Sequence, residues 1–282
     1  MKKVNIFLFA LLCCFTYAQH YKVIYSLSWK PSLQNDTILT GLTALIINGK
    51  KSYFADYSKF KADSLKSKIV SDFFSGNQQG NLRFPSPKAD ARFKKVIIKD
   101  IANDITIQEE KFYITTFHVI SECKLKWKLE KGEETIFGYK TKKAVAKLGG
   151  RKWTVWYTTE IPINDGPYKL YGLPGLILKA TDEKGDYTFE VAGITNETND
   201  LEYRSFSLPA PVVLNDKKWD KFYKNYKQQP SIVLENLNTE STTYVIDGKD
   251  IDQHTKSDYD RKEKTYLYEN NNEIELFNSC NK

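Results

Sequence analysis

From residue 92 to residue 194 the chain is written in short apolar–polar alternations closed by turn signals, and this pattern restricts the fold more than any other feature. The runs "RFKKVIIKDI", "KFYITTFHVI", "CKLKWKLE", "KAVAKL" and "KWTVWYTTEI" repeat with the period of a strand, whose side chains point to opposite faces in turn. Gly149-Gly150 divides the last two, and Lys184-Gly185 divides "LILKATDE" from "DYTFEVAGI". Upstream, residues 20–30 put Tyr21, Val23, Tyr25 and Leu27 on one face, and residues 41–57 read as strand, Asn48-Gly49 turn and strand. Parallel strands would need a crossover between them, usually a helix, and no such alternation occurs. The predicted fold class is therefore α+β, mainly β: a curved antiparallel sheet, meander or half-barrel-like, with one or two packed helices.

The period changes twice. In residues 57–74, Phe60, Leu65, Ile69 and Phe73 recur at helical spacing with lysines opposite, which predicts an amphipathic helix docked through those four residues and stopped near Gly76. In residues 215–228, Trp219, Phe222, Tyr223 and Tyr226 form a stripe behind an Asn215 cap. Beyond residue 230 the composition turns polar and charged, and loose structure is expected there. Residues 1–19 have two lysines, a short apolar core and Ala18 before a cut at Gln19 or His20, the pattern of a secretory signal peptide. Leu11 and Leu12 ahead of Cys13 and Cys14 argue against lipid attachment. The expected organisation is a signal peptide at 1–19, a β-rich domain at 20–230 and a weakly structured extension at 231–282. The chain is thus expected to be exported, periplasmic or associated with the outer membrane.

Composition removes several functions. The net charge is +7, of which Lys2 and Lys3 in the leader supply two, and the remaining lysines are scattered. No nucleic-acid partner is expected. Outside the leader the cysteines are Cys123 and Cys280, whose pairing the sequence leaves open, and no Cys-x-x-Cys or paired-His spacing points to a metal. The three histidines, His20, His118 and His254, accompany no Gly-x-Ser-x-Gly elbow. Glu160, Asp165, Asp182 and Glu183 sit where acidic side chains commonly form turns. No catalytic residue and no cofactor is assigned.

The densest stretch is "DGPYKLYGLPGLILKA", residues 165–180. Leu173-Pro174-Gly175-Leu176 predicts a type II turn, with glycine accepting the positive φ at its third position, and Leu176, Ile177 and Leu178 then start a strand. Gly166 and Gly172 add points of close approach, while Pro167 and Pro174 remove two of the N–H donors that a phosphate loop would need. Together with Gly138-Tyr139, Ala144, Gly150-Arg151, Trp156-Tyr157-Thr158, Ile161-Pro162-Ile163, Gly166-Pro167, Tyr187 and Ile194, the hexapeptide at 172–177 resembles the signature of the GLPGLI family, exported proteins of Bacteroidota. Members often carry a cysteine soon after the Gly-Tyr pair, where this chain has Thr141. The resemblance implies a compartment and no reaction.

Trp153, Trp156, Tyr157, Tyr168 and Tyr171 crowd this block. Alternation puts Trp153, Val155 and Tyr157 on one face and Trp156 on the other, so that one set fills a core and the other lines a candidate binding surface. Arg151, Trp156, Tyr157, Asp165, Tyr168 and Tyr171 are the candidate ligand- or partner-binding residues. The function expected is that of a non-enzymatic envelope binding or accessory protein, holding an apolar small molecule or docking a membrane protein. The alternative is a hydrolase-like enzyme with dispersed residues such as Arg151, Asp165 and His118. The sequence does not set the oligomeric state.

Overall fold

The computed structural model describes residues 20–76, 91–122, 124–196, 210–235, 237 and 244–276. Residues 1–19, where a signal peptide is expected, lie outside them, as do Cys123, Cys280 and most of the polar loop after Gly76. Twelve strands form one open sheet: β1 (His20–Trp29), β2 (Leu39–Asn48), β3 (Lys51–Asp56), β4 (Val96–Asp100), β5 (Ile105–Phe112), β6 (Thr115–Glu122), β7 (Lys128–Ile136), β8 (Tyr139–Leu148), β9 (Arg151–Thr158), β10 (Leu176–Asp182), β11 (Tyr187–Asn196) and β12 (Val212–Asn215). The order is β12-β6-β5-β4-β3-β2-β1-β11-β10-β9-β8-β7. Two meanders thus meet on β1, which pairs with β2 on one side and β11 on the other.

The fold is α+β and mainly β, with a mixed sheet and, among the described residues, no closed barrel. The departure from a purely antiparallel sheet is β12, which lies parallel to β6. It follows β11 in sequence but joins the far edge, so no hairpin can connect the two. The tight turns have ordinary chemistry where glycine is present. Gly149 (φ 59) and Gly150 (φ 81) join β8 to β9, and Gly185 (φ 71) lies between β10 and β11. Between β5 and β6 the turn instead uses Tyr113 at φ 54, with Phe112 paired to Thr115.

Alternation carries Val23, Tyr25, Leu27 and Trp29, Leu45 and Ile47, Phe54, Ile97, Trp153, Val155 and Tyr157, and Phe189 into one core. Phe54 of β3 and Phe189 of β11 have ring centroids 5.9 Å apart. In a flat sheet, three strand spacings would separate these strands by about 14 Å. The sheet therefore curls, and this face is its concave side. Two segments lie on it: residues 159–175, between β9 and β10, and a C-terminal strap at residues 270–276.

Helix α1 (Tyr57–Phe74) packs on the opposite face, capped by Asp56, whose carboxylate accepts from Ser58 N at 2.8 Å. Its docking is slighter than the periodicity predicts. Phe60 reaches the small cluster of Ala44, Ile46, Tyr53, Ala55 and Val96, but Leu65 is 44% exposed and Ile69 and Phe73 are half-buried. The helix rests on the sheet by its first turns and extends past it, which leaves the later apolar positions little to cover.

Helix α2 (Asp216–Gln228) follows its Asn215 cap as expected, with Trp219 and Tyr226 buried. The expectation of weak structure after residue 230 does not hold for the described residues. A 3₁₀ turn at Pro230–Leu234, a short hairpin of β13 (Val245–Ile246) and β14 (Lys249–Asp250), and α3 (Gln253–Glu269) follow. Tyr226, Val233 and Leu234 form a cluster with Ile251, Tyr259 and Leu267. So few apolar contacts suffice because α3 need only cover α2 and the 3₁₀ turn.

Candidate functional site

Residues 159–175 form a lid with its own hydrogen bonds. Leu176 N donates to Ile161 O at 3.0 Å, Ile177 N to Asp165 O at 2.9 Å and Gly172 N to Asn164 O at 3.0 Å. Ile161, Ile163, Tyr168, Leu170 and Leu173 point into the core, and Trp127 Nε1 donates to Tyr171 O at 2.8 Å. The type II turn predicted at 173–176 does not form. Gly175 N donates to Leu173 O at 2.8 Å, and positive φ falls instead on Gly172 (φ 97) and Tyr168 (φ 55). What Gly175 supplies is room, since a Cβ there would lie 2.0 Å from Thr158 O. Gly166 has the same role against Ile177 Cβ, at 2.7 Å.

The candidate residues named from the sequence are mostly interior. Tyr157, Tyr168 and Tyr171 are buried, and Trp156 is half-buried, packed against the core cluster, with its ring so close to Gly132 that a Cβ there would lie 3.1 Å from it. The expected open aromatic surface is corrected: the lid folds its own tyrosines inward. Burial and the neighbouring Glu275 carboxylate push the Tyr168 phenol well above its ordinary pKa. Burial, with Asp104 and Asp165, raises that of Tyr171 to about 12.

Arg151 and Asp165 have structural partners. The Arg151 guanidinium bonds Asp182 at 2.7 Å, Asp186 at 3.1 Å, Asn272 Oδ1 at 2.6 Å and Glu273 O at 2.8 Å, tying the strap to the β10–β11 hairpin. Asp165 pairs with Lys99 of β4, and both side chains are fully buried. His118 lies 3.3 Å from Glu109, which Lys59 of α1 also approaches at 3.8 Å. Arg151, Asp165 and His118 thus serve three separate networks and do not form one site.

An open cleft lies elsewhere. It measures about 410 Å³ and runs between the start of β4, the end of β5, α2, α3 and the strap. Tyr113, Tyr187, Tyr223, Tyr226, Tyr259 and Tyr266 line it, with Phe93 and Phe112 beneath. A second hollow of about 270 Å³ adjoins it at Lys95, Tyr223, Glu273 and Ile274. Burial raises the Tyr259 phenol to about 12 and pushes those of Tyr187, Tyr223 and Tyr226 higher, so these groups stay protonated at neutral pH. Four carboxylates on the wall have protein partners. Glu110 meets Lys95 at 2.5 Å, Glu263 accepts from Tyr226 at 2.8 Å, Glu273 meets Lys227 at 2.8 Å, and Glu109 takes His118 and Lys59. Burial opposes the Lys95 ammonium, but Glu110, with Tyr223 and Glu273, outweighs it and holds the pKa above the ordinary lysine value. At the mouth, Lys94 Nζ sits 3.8 Å from the centroid of the Tyr266 ring.

This cleft was not read from the sequence, because its walls come from residues 29 to 274. The available signal was the α2 stripe together with Tyr259 and Tyr266, which recur at helical spacing inside the polar tail.

The class defined by fold and site is an open, mainly β sheet whose helical layer encloses an amphipathic, tyrosine-lined cleft. A family model described as "Protein of unknown function (Porph_ging)" matches residues 149–179, which span β9, the lid and the start of β10. No curated protein matches the chain. Two similar solved structures are described as PNGF-II in C2 and P21 space groups. The first has a TM-score of 0.49 and 19% identity, and the second 0.47 and 17%. Each match covers 74% of this chain and 34% of the other, so the chain spans about a third of the length of either.

Proposed function

We propose that this chain is a non-enzymatic binding or accessory protein of the cell envelope, and that it holds its ligand in the tyrosine-lined cleft. The proposal includes kinship with the GLPGLI family of Bacteroidota and export through the leader at 1–19. The observation that carries it is the lining of the cleft: neutral phenols beside carboxylates that already have protein partners. Rings with hydroxyl tips suit a ligand that is apolar on one face and polar along its edge, whether a small molecule or a segment of a membrane protein. A hydrolase built from Arg151, Asp165 and His118 has less support, since each is engaged in its own network.

Native mass spectrometry of the full chain purified from its own envelope tests the reading. The wild type should retain a ligand or partner. Tyr266→Ala, at the 36% exposed mouth of the cleft, should lose it without a change in melting temperature. A bare wild-type chain, or an adduct indifferent to this change, would overturn the assignment.

A further inference from the structure

Lys99 and Asp165 form an ion pair with zero side-chain exposure on both partners. Strand β4 delivers Lys99 to the concave face, next to buried Ile97, and the lid brings Asp165 over it. Lys99 Nζ contacts Asp165 Oδ1 and donates to Gly166 O at 2.6 Å. Asp165 Oδ1 also accepts from Gly166 N at 2.7 Å. Oδ2, equally buried, has no hydrogen-bond partner among the described residues. The phenol of Tyr25, pushed well above its ordinary pKa by burial and then by the Asp165 carboxylate, donates to Ile177 O at 2.7 Å.

A fully desolvated ion pair with one unsatisfied carboxylate oxygen can relax by moving a proton from nitrogen to oxygen, because low dielectric favours the neutral pair. The same burial lowers the lysine's pKa. The products are a neutral amine and a carboxylic acid, held against each other in a site shielded from water. That arrangement is the reactant pair for amide formation, with the entropy of encounter already spent.

We propose that Lys99 and Asp165 become joined by an intramolecular isopeptide bond once the chain has folded. The ammonium gives one proton to Oδ2. The nitrogen lone pair attacks Cγ, forming the Nζ–Cγ bond, and Oδ1 takes the developing negative charge against the Gly166 N–H. The Cγ–Oδ2 bond then breaks, and the departing hydroxyl takes a second proton from nitrogen and leaves as water. No electron is exchanged and no co-reactant is required. In the product the amide oxygen keeps the Gly166 N–H, and the amide N–H keeps the Gly166 carbonyl. The link would staple β4 to the lid across 66 residues of sequence.

The test is intact mass and tryptic mapping of the folded full chain, with the N-terminus measured on the same sample. The expected result is a mass one water below that of the sequence, together with a branched peptide joining residues 96–111 to residues 153–169, uncut after Lys99. Lys99→Met and Asp165→Ala should each restore the full mass of their own sequences. If neither variant folds, the wild-type map decides alone. A wild-type chain of full mass overturns the proposal. So does a one-water deficit with only linear peptides, which would report a succinimide at Asp165-Gly166.

Discussion

Replacing Gly175 by alanine isolates what the densest motif in the sequence does. The new Cβ would lie 2.0 Å from Thr158 O, 2.7 Å from Thr158 C and 3.1 Å from Thr159 Cα, whereas ordinary contact begins at 3.4 Å. The obstacle is backbone, and Thr158 is the fully buried last residue of β9, paired with Leu176. Relief therefore requires the lid to move off β9 by about 1.4 Å, the difference between ordinary contact and the built position. Such a shift breaks the bonds from Leu176 N to Ile161 O and from Gly175 N to Leu173 O, worth about 1 kcal/mol each. It also uncovers parts of Leu173 and Leu176, now 2% and 0% exposed, for about 1 kcal/mol more. The sum of about 3 kcal/mol lowers the melting temperature by about 6–12 °C in a domain of this size. Thermal melts of Gly175→Ala and Gly175→Asn should show equal losses, because space and not φ is limiting. Gly185→Asn, at φ 71 with open space around it, should cost less than about 1 kcal/mol. A Gly175→Ala melt within about 2 °C of wild type would refute the reasoning. So would an asparagine variant milder than alanine, which would return the cause to backbone conformation.

Two other perturbations probe the periphery. Leu65→Asp on α1 should change stability by no more than about 0.5 kcal/mol in urea titration, since Leu65 is 44% exposed and the substitution buries no charge. Asp252 caps α3 by accepting from Thr255 N at 2.7 Å, and its bonds to the Thr255 backbone and side chain hold its pKa below the ordinary carboxylate value. Its contribution is therefore present above the unfolded-state pKa and is lost as pH falls through the lower, folded-state one. Amide exchange at the start of α3 should rise in that acid window and flatten in Asp252→Asn, which still caps.

The hairpins that were legible in the sequence are those whose turns need glycine, at Asn48-Gly49, Gly149-Gly150 and Gly185, because positive φ leaves a compositional trace. The β5–β6 hairpin left none. Its turn places Tyr113 at φ 54, supported by the phenol's bond to Val245 O at 3.0 Å, a contact made with a segment far along the chain. The run at residues 111–120 therefore reads as one strand where the fold has two. Helical periodicity placed α1 and α2 within a residue of their bounds but could not say how deeply each docks, since depth depends on what the sheet offers beneath. The aromatic candidates failed as a surface for the same kind of reason. Alternation assigns a side chain to a face, but only the lid's path across the sheet determines that this face is covered.

Arg151 joins the hairpin motif to the strap, and its removal separates two contributions that one stability measurement would merge. Arg151→Met leaves the Asp182 carboxylate, fully buried and still accepting from Tyr187 N, without its cation. Loss of one member of a buried pair costs about 3–5 kcal/mol, most of it from the stranded charge. The same change removes the guanidinium from Asn272 Oδ1 and Glu273 O, so amide exchange over residues 272–276 should accelerate more than that of β1 or β11. Adding Asp182→Asn removes the stranded charge and leaves an oxygen to accept from Tyr187 N. The double variant should then recover at least about 2 kcal/mol while the strap still exchanges quickly. Calorimetry and hydrogen exchange on the same samples read the two effects separately. Strap protection that survives in Arg151→Met would assign its anchorage to the amides of Asn272 and Leu276 on Pro31 O and Gly149 O, with Tyr187 OH on Asn272 O and Tyr168 and Lys169 on Glu275. Arg151 would then be a charge partner of the hairpin alone, and the strap wall of the cleft would stand without it.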